Sequence, residues 1–387
     1  MRFGIAFNHS NYNDWDRFLA MERGEDVGEM AKSDFQVLTE QFALADLVEP
    51  LGFDSLWTFE MHAAPGLMNP DPTLYLAYFA GRTKRLDFGS MITVLPWHNP
   101  VRLAEQITML QYFLGPGRKY RMGVGRGLAL RNFEAMGVSM DDSTDRFNEV
   151  LDVLRLAFTE ESFSYHGKFF NYENVSVRPR PLDPETVVEA WGSWTSERSV
   201  RNMGARGLHP LTSTNLSLES YLNDLDLLNQ IRAENGYGPA QRPVLQLPIH
   251  CGASDEQAHE EAQRYFTEWV DSVMQLYEIG TDRWANAKGY EQYKTTGSDF
   301  GSGTYQDAVE KLTNKFLEVG LVGTPEQCVE KLMYHIETIN PSEIVVVSGP
   351  GSIDGAEAEK SMRLYAERVI PRVREYLRAR PAEPALA

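Results

Sequence analysis

The sequence predicts an α/β fold of the (β/α)8 TIM barrel class with insertions. Eight apolar strand segments follow one another along the chain, and helical periodicity follows each of them. Such repetition requires a parallel sheet with right-handed crossovers, and eight units suit a closed barrel of about 250 residues. The 387 residues leave room for insertions, and we expect one domain over 1–387. An open doubly wound sheet with an extra domain is the alternative.

The first four units fill the first 158 residues. Strands are expected at 2–7, 53–59, 86–95 and 119–125, and helices at 33–53, 72–83, 99–113 and 145–158. Ser33 and Gln36 fit a capping box, and Pro72 suits the first turn of its helix. Apolar residues recur within these helices at the spacing of one buried face.

An excursion separates the two halves of the predicted barrel. Residues 163–177 alternate around His166-Gly167, which indicates a β-hairpin. The strand–helix order then resumes. Strands are expected at 186–191, 206–211, 243–251 and 342–349, and helices at 196–203, 218–235, 254–277, 324–339 and 358–377.

The segment 277–303 does not follow the pattern. It is rich in glycine, mixed in charge and without a clean period. Loops this long inside compact domains are usually functional lids or disordered segments. Trp284, Tyr290 and Tyr293 give it aromatic groups that can pack, so we interpret it as a mobile lid insertion, with a plain surface loop as the alternative.

Composition excludes several classes of function. A net charge of −18 repels phosphate backbones, so no nucleic-acid partner is expected. There is no apolar run of about 18 residues and no signal-peptide pattern at the start, which predicts a cytoplasmic protein without a membrane role. Cys251 and Cys328 lack metal spacing and are expected to be free, buried thiols.

The stretch "MGVGRGL" at 122–128 resembles a dinucleotide fingerprint but has the spacing GxGxG instead of GxGxxG. No helix pattern follows at once, so we reject a Rossmann site. In a barrel this stretch is the end of the fourth strand, where binding groups lie. Arg126 would then project into the barrel mouth as a fixed cation with bidentate donors. The alternative is a glycine bulge with a solvated arginine.

The stretch at 190–207 suits phosphate binding. A strand ends there, the hydroxyl residues Ser193, Thr195 and Ser196 follow, and a helix begins. Free N–H groups at a helix N-terminus attract anions. Three arginines make the segment locally basic in an acidic chain: Arg198, Arg201 and Arg206. Ordinary N-capping is the alternative for the hydroxyl groups.

Glu60 and His62 follow the second predicted strand and allow a metal site, an acid/base pair or a structural contact. The histidines are scattered without metal spacing, so no metal is expected. No GxSxG motif marks a hydrolase nucleophile. A glycosidase barrel would carry two carboxylates at strand ends, and Glu60 with Glu189 keeps that alternative open.

Four stretches resemble the bacterial luciferase-like flavin monooxygenases, the alkanal-monooxygenase α-chain type in particular. They are "GFDSLWTFEMH", "RLDFGSMITVLPWHNPVRLAEQITMLQ", "GVGRGL" with "FEAMGVSM", and "VGTPEQCVEKL". The resemblance runs from Phe3 to the final helix. It implies a barrel that uses reduced FMN from a separate NAD(P)H:flavin reductase. O2 would add to the flavin C4a, and the peroxyflavin would oxygenate an aldehyde, a ketone or another small hydrophobic compound.

The resemblance also implies site residues and an assembly. Matching positions assign the FMN phosphate to Arg126, Ser193, Thr195, Ser196 and Arg146. Met91-Ile92 falls where relatives have a non-proline cis peptide under the flavin ring. A homodimer is implied through helices near the second and third strands, and the helix at 72–81 is suitably apolar.

Two departures from the family pattern are informative. Luciferase α chains have Glu-His-His where this chain has Glu60-Met61-His62, and the first of those histidines is the one considered catalytic. The reactive cysteine of luciferase corresponds to Gly125. These departures argue against light emission. We expect monooxygenation in which His62 handles a proton and Glu60 orients it, with an F420-dependent oxidoreductase and a non-catalytic flavin-binding protein as alternatives.

Overall fold

The computed structural model describes residues 1–212, 218–278, 287–290 and 304–379. Its strands are β1 (Arg2–Phe7), β2 (Ser55–Thr58), β3 (Asp87–Val94), β4 (Tyr120–Gly125), β5 (Phe163–His166), β6 (Asn171–Val175), β7 (Trp191–Gly192), β8 (His209–Thr212), β9 (Val244–Cys251), β10 (Leu321–Gly323) and β11 (Glu343–Ser348). Eight of them form a closed parallel barrel in the order β1-β2-β3-β4-β7-β8-β9-β11. The barrel closes where Arg2 pairs with Glu343, which confirms the predicted fold class.

The helices pack around this barrel. They are α1 (Trp15–Glu22), α2 (Asp34–Asp46), α3 (Pro72–Ala80), α4 (Pro100–Leu114), α5 (Leu130–Ala135), α6 (Ser143–Thr159), α7 (Glu185–Val188), α8 (Glu197–Ala205), α9 (Leu218–Glu234), α10 (Asp255–Leu276), α11 (Tyr305–Val319), α12 (Pro325–Ile339), α13 (Gly355–Leu364) and α14 (Ile370–Ala379). The expected capping box of Ser33 and Gln36 is present, and Pro72 is the first residue of α3. The antiparallel pair β5–β6 is the predicted hairpin.

The strand predicted at 186–191 is wrong over most of its length. Residues Glu185–Val188 form a helical turn, and only Trp191–Gly192 is strand. The reason is local, because Pro184 has the backbone angles of a helix start and Asp183 accepts the N–H of Glu185. The strand begins only at Trp191, where the chain pairs with β4.

Helix α11 was not predicted. Thr304 and Asp307 form a capping box at its start, which is a recognisable sequence signal. The last predicted helix, 358–377, is interrupted by a π-helical segment at Tyr365–Val369. Pro371 explains the interruption, since proline removes one backbone donor and its ring displaces the preceding turn.

The amino end of the barrel is closed by an ionic network around a buried carboxylate. Glu343 is 1% exposed and accepts hydrogen bonds from Ser55 and from Trp57, whose Nε1 lies 3.1 Å away. Arg2 and Arg121 both pair with Glu343, at 3.4 and 3.3 Å. Above this network, apolar side chains fill the barrel interior: Ala6, Trp57, Met91, Trp191, Leu211, Val244 and Val345.

Two further findings concern partners and thiols. Within the described ranges, no helix combines the length and the apolar character that a membrane crossing requires. Cys251 and Cys328 are both buried and free of disulfides.

Candidate active site

A cavity of about 240 Å³ lies at the carboxyl ends of the barrel strands, where binding groups of this fold are expected. Its walls are mainly apolar and aromatic. They include Phe59, Met61, Met91, Ile92, Trp97, Trp194, Trp269 and Phe316. Polar side chains reach the cavity at a few places only, and these places define what it can bind.

Arg126 follows β4 and lines one end of the cavity, 9% exposed. Its Nη1 donates to the Thr144 hydroxyl at 3.0 Å, and its Nη2 donates to the Ser199 hydroxyl at 3.3 Å. The guanidinium also lies 4.7 Å from the centre of the Tyr290 ring. The described partners of Arg126 are neutral groups, which hold the cation in place and leave its charge to attract an anion.

The N-terminus of α8 meets Arg126 at this end. Ser196 caps the helix by accepting the N–H of Ser199, and the two hydroxyl oxygens lie 3.1 Å apart. Ser193 and Thr195, just before the helix, line the cavity. Hydroxyl groups and a helix N-terminus beside an arginine form an anion site of the type that holds a phosphate.

A second arginine, Arg198, lies near Arg126 at this end of the cavity, and Gly289 shows how close the two are. A Cβ atom at Gly289 would lie 3.2 Å from Nη1 of Arg198 and 3.3 Å from Nη1 of Arg126. The two guanidinium groups therefore converge at one point of the chain. The phosphate cradle, defined here as Arg126, Ser193, Thr195, Ser196, Arg198 and Ser199, thus carries two positive charges in an acidic protein.

The opposite wall of this end is formed by β3 and β4. The peptide bond between Met91 and Ile92 is cis, as the resemblance implied, and both residues line the cavity. A Cβ atom at Gly125 would collide with the Ile92 side chain. Glycine at this position therefore makes the space that Ile92 occupies.

Glu60 lies in the cavity wall between two imidazoles. Its Oε1 lies 3.1 Å from Nε2 of His62 and 2.8 Å from Nε2 of His98, while Oε2 accepts the N–H of Val94 at 2.7 Å. The carboxylate is buried, 3% exposed, and every oxygen is satisfied. Glu60 is therefore fixed in position, and both imidazoles are tied to it.

The electrostatics of this group favour an ion pair. Burial opposes ionisation of Glu60, but the His98 charge and the hydrogen bonds from His62, His98 and Val94 outweigh it and lower the pKa of the carboxyl. Burial likewise opposes the charge on His98, but Glu60 and Asp71 outweigh it and raise the pKa of that imidazole. Each group thus stabilises the charged form of the other.

His62 itself does not line the cavity, whereas Met61 does. The His62 ring lies 5.2 Å from the Trp97 ring at a steep angle, and Asn132 donates to the His62 carbonyl. Among the described residues, Glu60 connects His62 to the cavity wall. Glu60 is the acidic side chain that lines the cavity.

Several residues expected at the site lie elsewhere. Arg146 donates to the Pro96 carbonyl at 2.9 Å and stacks on Phe169 and Phe170, outside the residues that line the cavity. Arg201 pairs with Glu197 on the surface, and Arg206 pairs with Asp152. The sequence indicated a locally basic segment, but Arg146, Arg201 and Arg206 are not among the described residues that line the cavity.

The two-carboxylate arrangement of a glycosidase is absent among the described residues. Glu189 precedes β7 and bonds to His209 and Gln241, while Glu60 follows β2 at the carboxyl end of the barrel. No three acidic, histidine or cysteine groups within the described ranges are arranged to hold a metal ion. The cavity therefore offers an anion site and one buried carboxylate.

Most of the predicted lid 277–303, including Trp284 and Tyr293, lies outside the described residues. Tyr290 is described and buried. Its hydroxyl donates to the Gly127 carbonyl at 2.8 Å, and its ring covers Arg126. This part of the segment contacts the site directly.

Sequence reasoning missed four contributors to the site: Thr144, Ser199, His98 and Asn8. The sequence could have indicated Ser199, because it lies three residues after the helix N-cap at Ser196, where side chains approach the cap. No sequence pattern indicated His98, since its contact with Glu60 joins two loops 38 residues apart. Asn8 directly follows the first strand, at the position where barrel enzymes carry their ligand groups.

A family model described as "Luciferase-like monooxygenase" matches residues 17–339. The chain belongs to this family. It is 25% identical over 346 residues to the alkanal monooxygenase alpha chain of the Kryptophanaron alfredi symbiont, covering 88% of this chain and 94% of that protein. Membership assigns the luciferase-like chain to the monooxygenases, a class of oxidoreductases.

Solved structures support the same barrel. Monooxygenase RslO1 from Streptomyces bottropensis superposes with a TM-score of 0.75 and 22% identity, covering 96% of this chain and 99% of that one. A second match is the oxygenating constituent of 3,6-diketocamphane monooxygenase from Pseudomonas putida, a type II Baeyer-Villiger enzyme in complex with FMN. Its TM-score is 0.69 and its sequence identity 21%, over 96% of this chain and 99% of that one. An F420-dependent secondary alcohol dehydrogenase in complex with an F420-acetone adduct superposes with a TM-score of 0.65 and 17% identity. The superposition covers 86% of this chain and 95% of that one.

Proposed function

We propose that this luciferase-like protein is a two-component monooxygenase that uses reduced FMN and O2 to oxygenate a small organic substrate. The observation that carries the proposal is the phosphate cradle at one end of an apolar cavity. Such a cavity suits a ligand with a phosphate at one end and a flat apolar body. FMN has both features.

The cradle residues fit the phosphate by their chemistry. Arg126 is buried, and its hydrogen-bond partners Thr144 and Ser199 are neutral hydroxyl groups that can also bind an anion. Ser193 and Thr195 add two hydroxyl groups next to the start of α8, where a helix N-terminus favours an anion. Bound there, reduced FMN would supply two electrons for the reduction of O2.

The remaining cavity residues exclude water and hold a proton. Aromatic and apolar walls formed by Met91, Trp97 and Trp194 keep bulk water from the reaction space. Glu60 lies at that wall as a carboxylate paired with His98. Glu60 would therefore accept a proton released in the cavity, while its hydrogen bonds to His62 and His98 hold the carboxylate in place.

The proposal includes two partners. Reduced FMN has to come from a separate NAD(P)H:flavin reductase. A second copy of the chain is proposed to dock on the exposed apolar face of α3 and α4, where Leu74 is 71% and Phe113 49% exposed. Helix α3 packs against β2, β3 and α4. We also propose that the protein acts in the cytoplasm.

The test is an anaerobic titration followed by turnover. The purified protein is titrated with FMNH2, with FMN and with F420, and the FMNH2 complex is then mixed with O2 and decanal or cyclohexanone in the presence of a flavin reductase. We expect FMNH2 to bind more tightly than F420 and an oxygenated product to accumulate. Tighter binding of F420 would replace the proposal with hydride transfer, and flavin binding without any product would indicate a non-catalytic binding protein.

A further inference from the structure

Asn8 is a buried carboxamide that no described residue satisfies. It is 1% exposed, and neither Oδ1 nor Nδ2 has a hydrogen-bond partner among the described residues. It also lines the cavity. Buried polar groups in proteins are almost always paired, so an unpaired one in a ligand cavity calls for a partner that binds there.

The backbone fixes Asn8 in this position. Its N–H donates to the Ser348 carbonyl of β11 at 3.2 Å, and its carbonyl accepts the N–H of Ser10 at 2.7 Å. Alternation along β1 then directs its side chain to the same side as Ala6, which belongs to the interior cluster. The carboxamide is therefore held toward the cavity by paired main-chain groups.

Asn8 lies across the barrel from the phosphate cradle. In the ring order β1-β2-β3-β4-β7-β8-β9-β11, strands β1 and β7 are four positions apart and face each other. The cradle begins at Ser193, directly after β7. A ligand anchored by its phosphate in the cradle thus reaches Asn8 with its far end, or a second ligand does.

We propose that Asn8 recognises a carbonyl-containing group of the compound bound in the cavity, using its N–H as donor and its oxygen as acceptor where the ligand has an N–H beside the carbonyl. A carboxamide supplies two donors and one acceptor, and a hydrocarbon chain satisfies none of them. This inference rests on the proposed function for the identity of the anchored ligand. The carbonyl belongs either to the imide edge of the flavin ring or to the organic substrate.

The first experiment compares the stability of ligand-free variants. Asn8→Leu replaces the carboxamide with an apolar side chain of similar size, and replacing an unsatisfied polar group in this way is neutral or stabilising. We expect the Tm of ligand-free Asn8→Leu to equal or exceed that of the wild type. A fall of several degrees would mean that Asn8 has structural partners and would overturn the proposal.

The second experiment measures binding by tryptophan fluorescence, because Trp97, Trp194 and Trp269 line the cavity. The probes are FMN, cyclohexanone and the carbonyl-free cyclohexane, and the variants are Asn8→Leu and Asn8→Asp. Ser10→Ala is the matched control, since the buried Ser10 hydroxyl also has no hydrogen-bond partner among the described residues, and Ser10 does not line the cavity. We expect the control to bind every probe as the wild type does.

The outcomes separate the two sources of the carbonyl. A tenfold or larger loss of FMN affinity in both Asn8 variants assigns the contact to the flavin ring. FMN binding within twofold of the wild type, with cyclohexanone weakened tenfold and cyclohexane unchanged, assigns it to the substrate. Unchanged binding of all probes overturns the Asn8 proposal and leaves the proposed function intact. If the wild type binds no flavin, the proposed function fails, while a selective loss of cyclohexanone would still support the role of Asn8.

Discussion

Nε2 of His98 lies 2.8 Å from Oε1 of Glu60, so an imidazole from the loop after β3 completes the hydrogen bonding of a carboxylate after β2. Within the motif Glu60-Met61-His62, only His62 supplies an imidazole to this carboxylate. Glu60 thus has two imidazole partners, one from its own motif and one from another loop.

The pair makes stability depend on pH. The lowered pKa of Glu60 gives stability that is present above its ordinary value of 4.5 and is lost as pH falls through the lowered value. The raised pKa of His98 gives stability that is present below its ordinary value of 6.5 and is lost as pH rises through the raised value. The contribution is therefore largest between pH 4.5 and 6.5.

We expect His98→Asn to lower the free energy of unfolding by about 1–3 kcal/mol at pH 5.5 and by less at pH 9. Urea unfolding at both pH values measures the difference. His166→Asn is the control, because His166 is exposed in the hairpin and pairs with Glu173 at the surface. An equal loss at both pH values would show that His98 contributes packing instead of charge.

Arg126→Ala should weaken FMN binding by about 1.5–3 kcal/mol, on the order of ten- to a hundredfold in Kd. Arg126→Lys should recover part of this affinity, since lysine keeps the charge but loses the planar donor pair. Fluorescence titration with FMN measures both variants. Arg201→Ala, whose side chain pairs with Glu197 at the surface, should bind FMN like the wild type. Equal affinities of all three variants would remove Arg126 from the phosphate site.

Tyr290 is expected to couple its segment to the cradle. Tyr290→Phe removes the hydroxyl that donates to the Gly127 carbonyl at 2.8 Å, which should cost about 1 kcal/mol of stability. Tyr290→Leu also removes the ring over Arg126 and should weaken FMN binding further than Tyr290→Phe does. Thermal unfolding and FMN titration measure the two effects. If both variants bind FMN equally, the ring plays no part in holding Arg126.

The exposed apolar face of α3 and α4 predicts the oligomeric state. Tyr78→Glu and Leu74→Glu place a charge on this face and should convert a dimer into a monomer without loss of the barrel fold. Size-exclusion chromatography with light scattering gives the mass, and circular dichroism checks the fold. Tyr334→Glu is the control on α12, where Tyr334 is 58% exposed. A wild type that is monomeric, or a variant that stays dimeric, contradicts this interface.

The barrel was predictable because its signals are local. Each of the eight buried strands is an apolar run, and the caps at Ser33 and Pro72 act within one turn of helix. The error at 186–191 arose where an apolar run, Thr186-Val187-Val188, follows a proline that starts a helical turn. Composition alone could not separate those two states.

The site was predictable only in part, since its contacts join distant loops. The sequence placed Arg126 and Ser193 at the barrel mouth because each directly follows a strand, and both line the cavity. Arg146 lies on a helix face, and a shift of one residue changes its direction by about 100°. The contact of Glu60 with His98 depends on the path of the loop after β3, which no periodicity encodes.

The ionic network of Arg2, Arg121 and Glu343, with the apolar filling above it, closes the amino end of the barrel. Among the described residues, the apolar filling lies between this network and the cavity at the carboxyl ends of the strands. Under the proposed function, flavin and organic substrate would then approach from the same carboxyl side, and the one that lies deeper would have to bind first. The expected kinetic consequence is a compulsory order of binding, in which an excess of the outer ligand slows turnover by trapping the inner one.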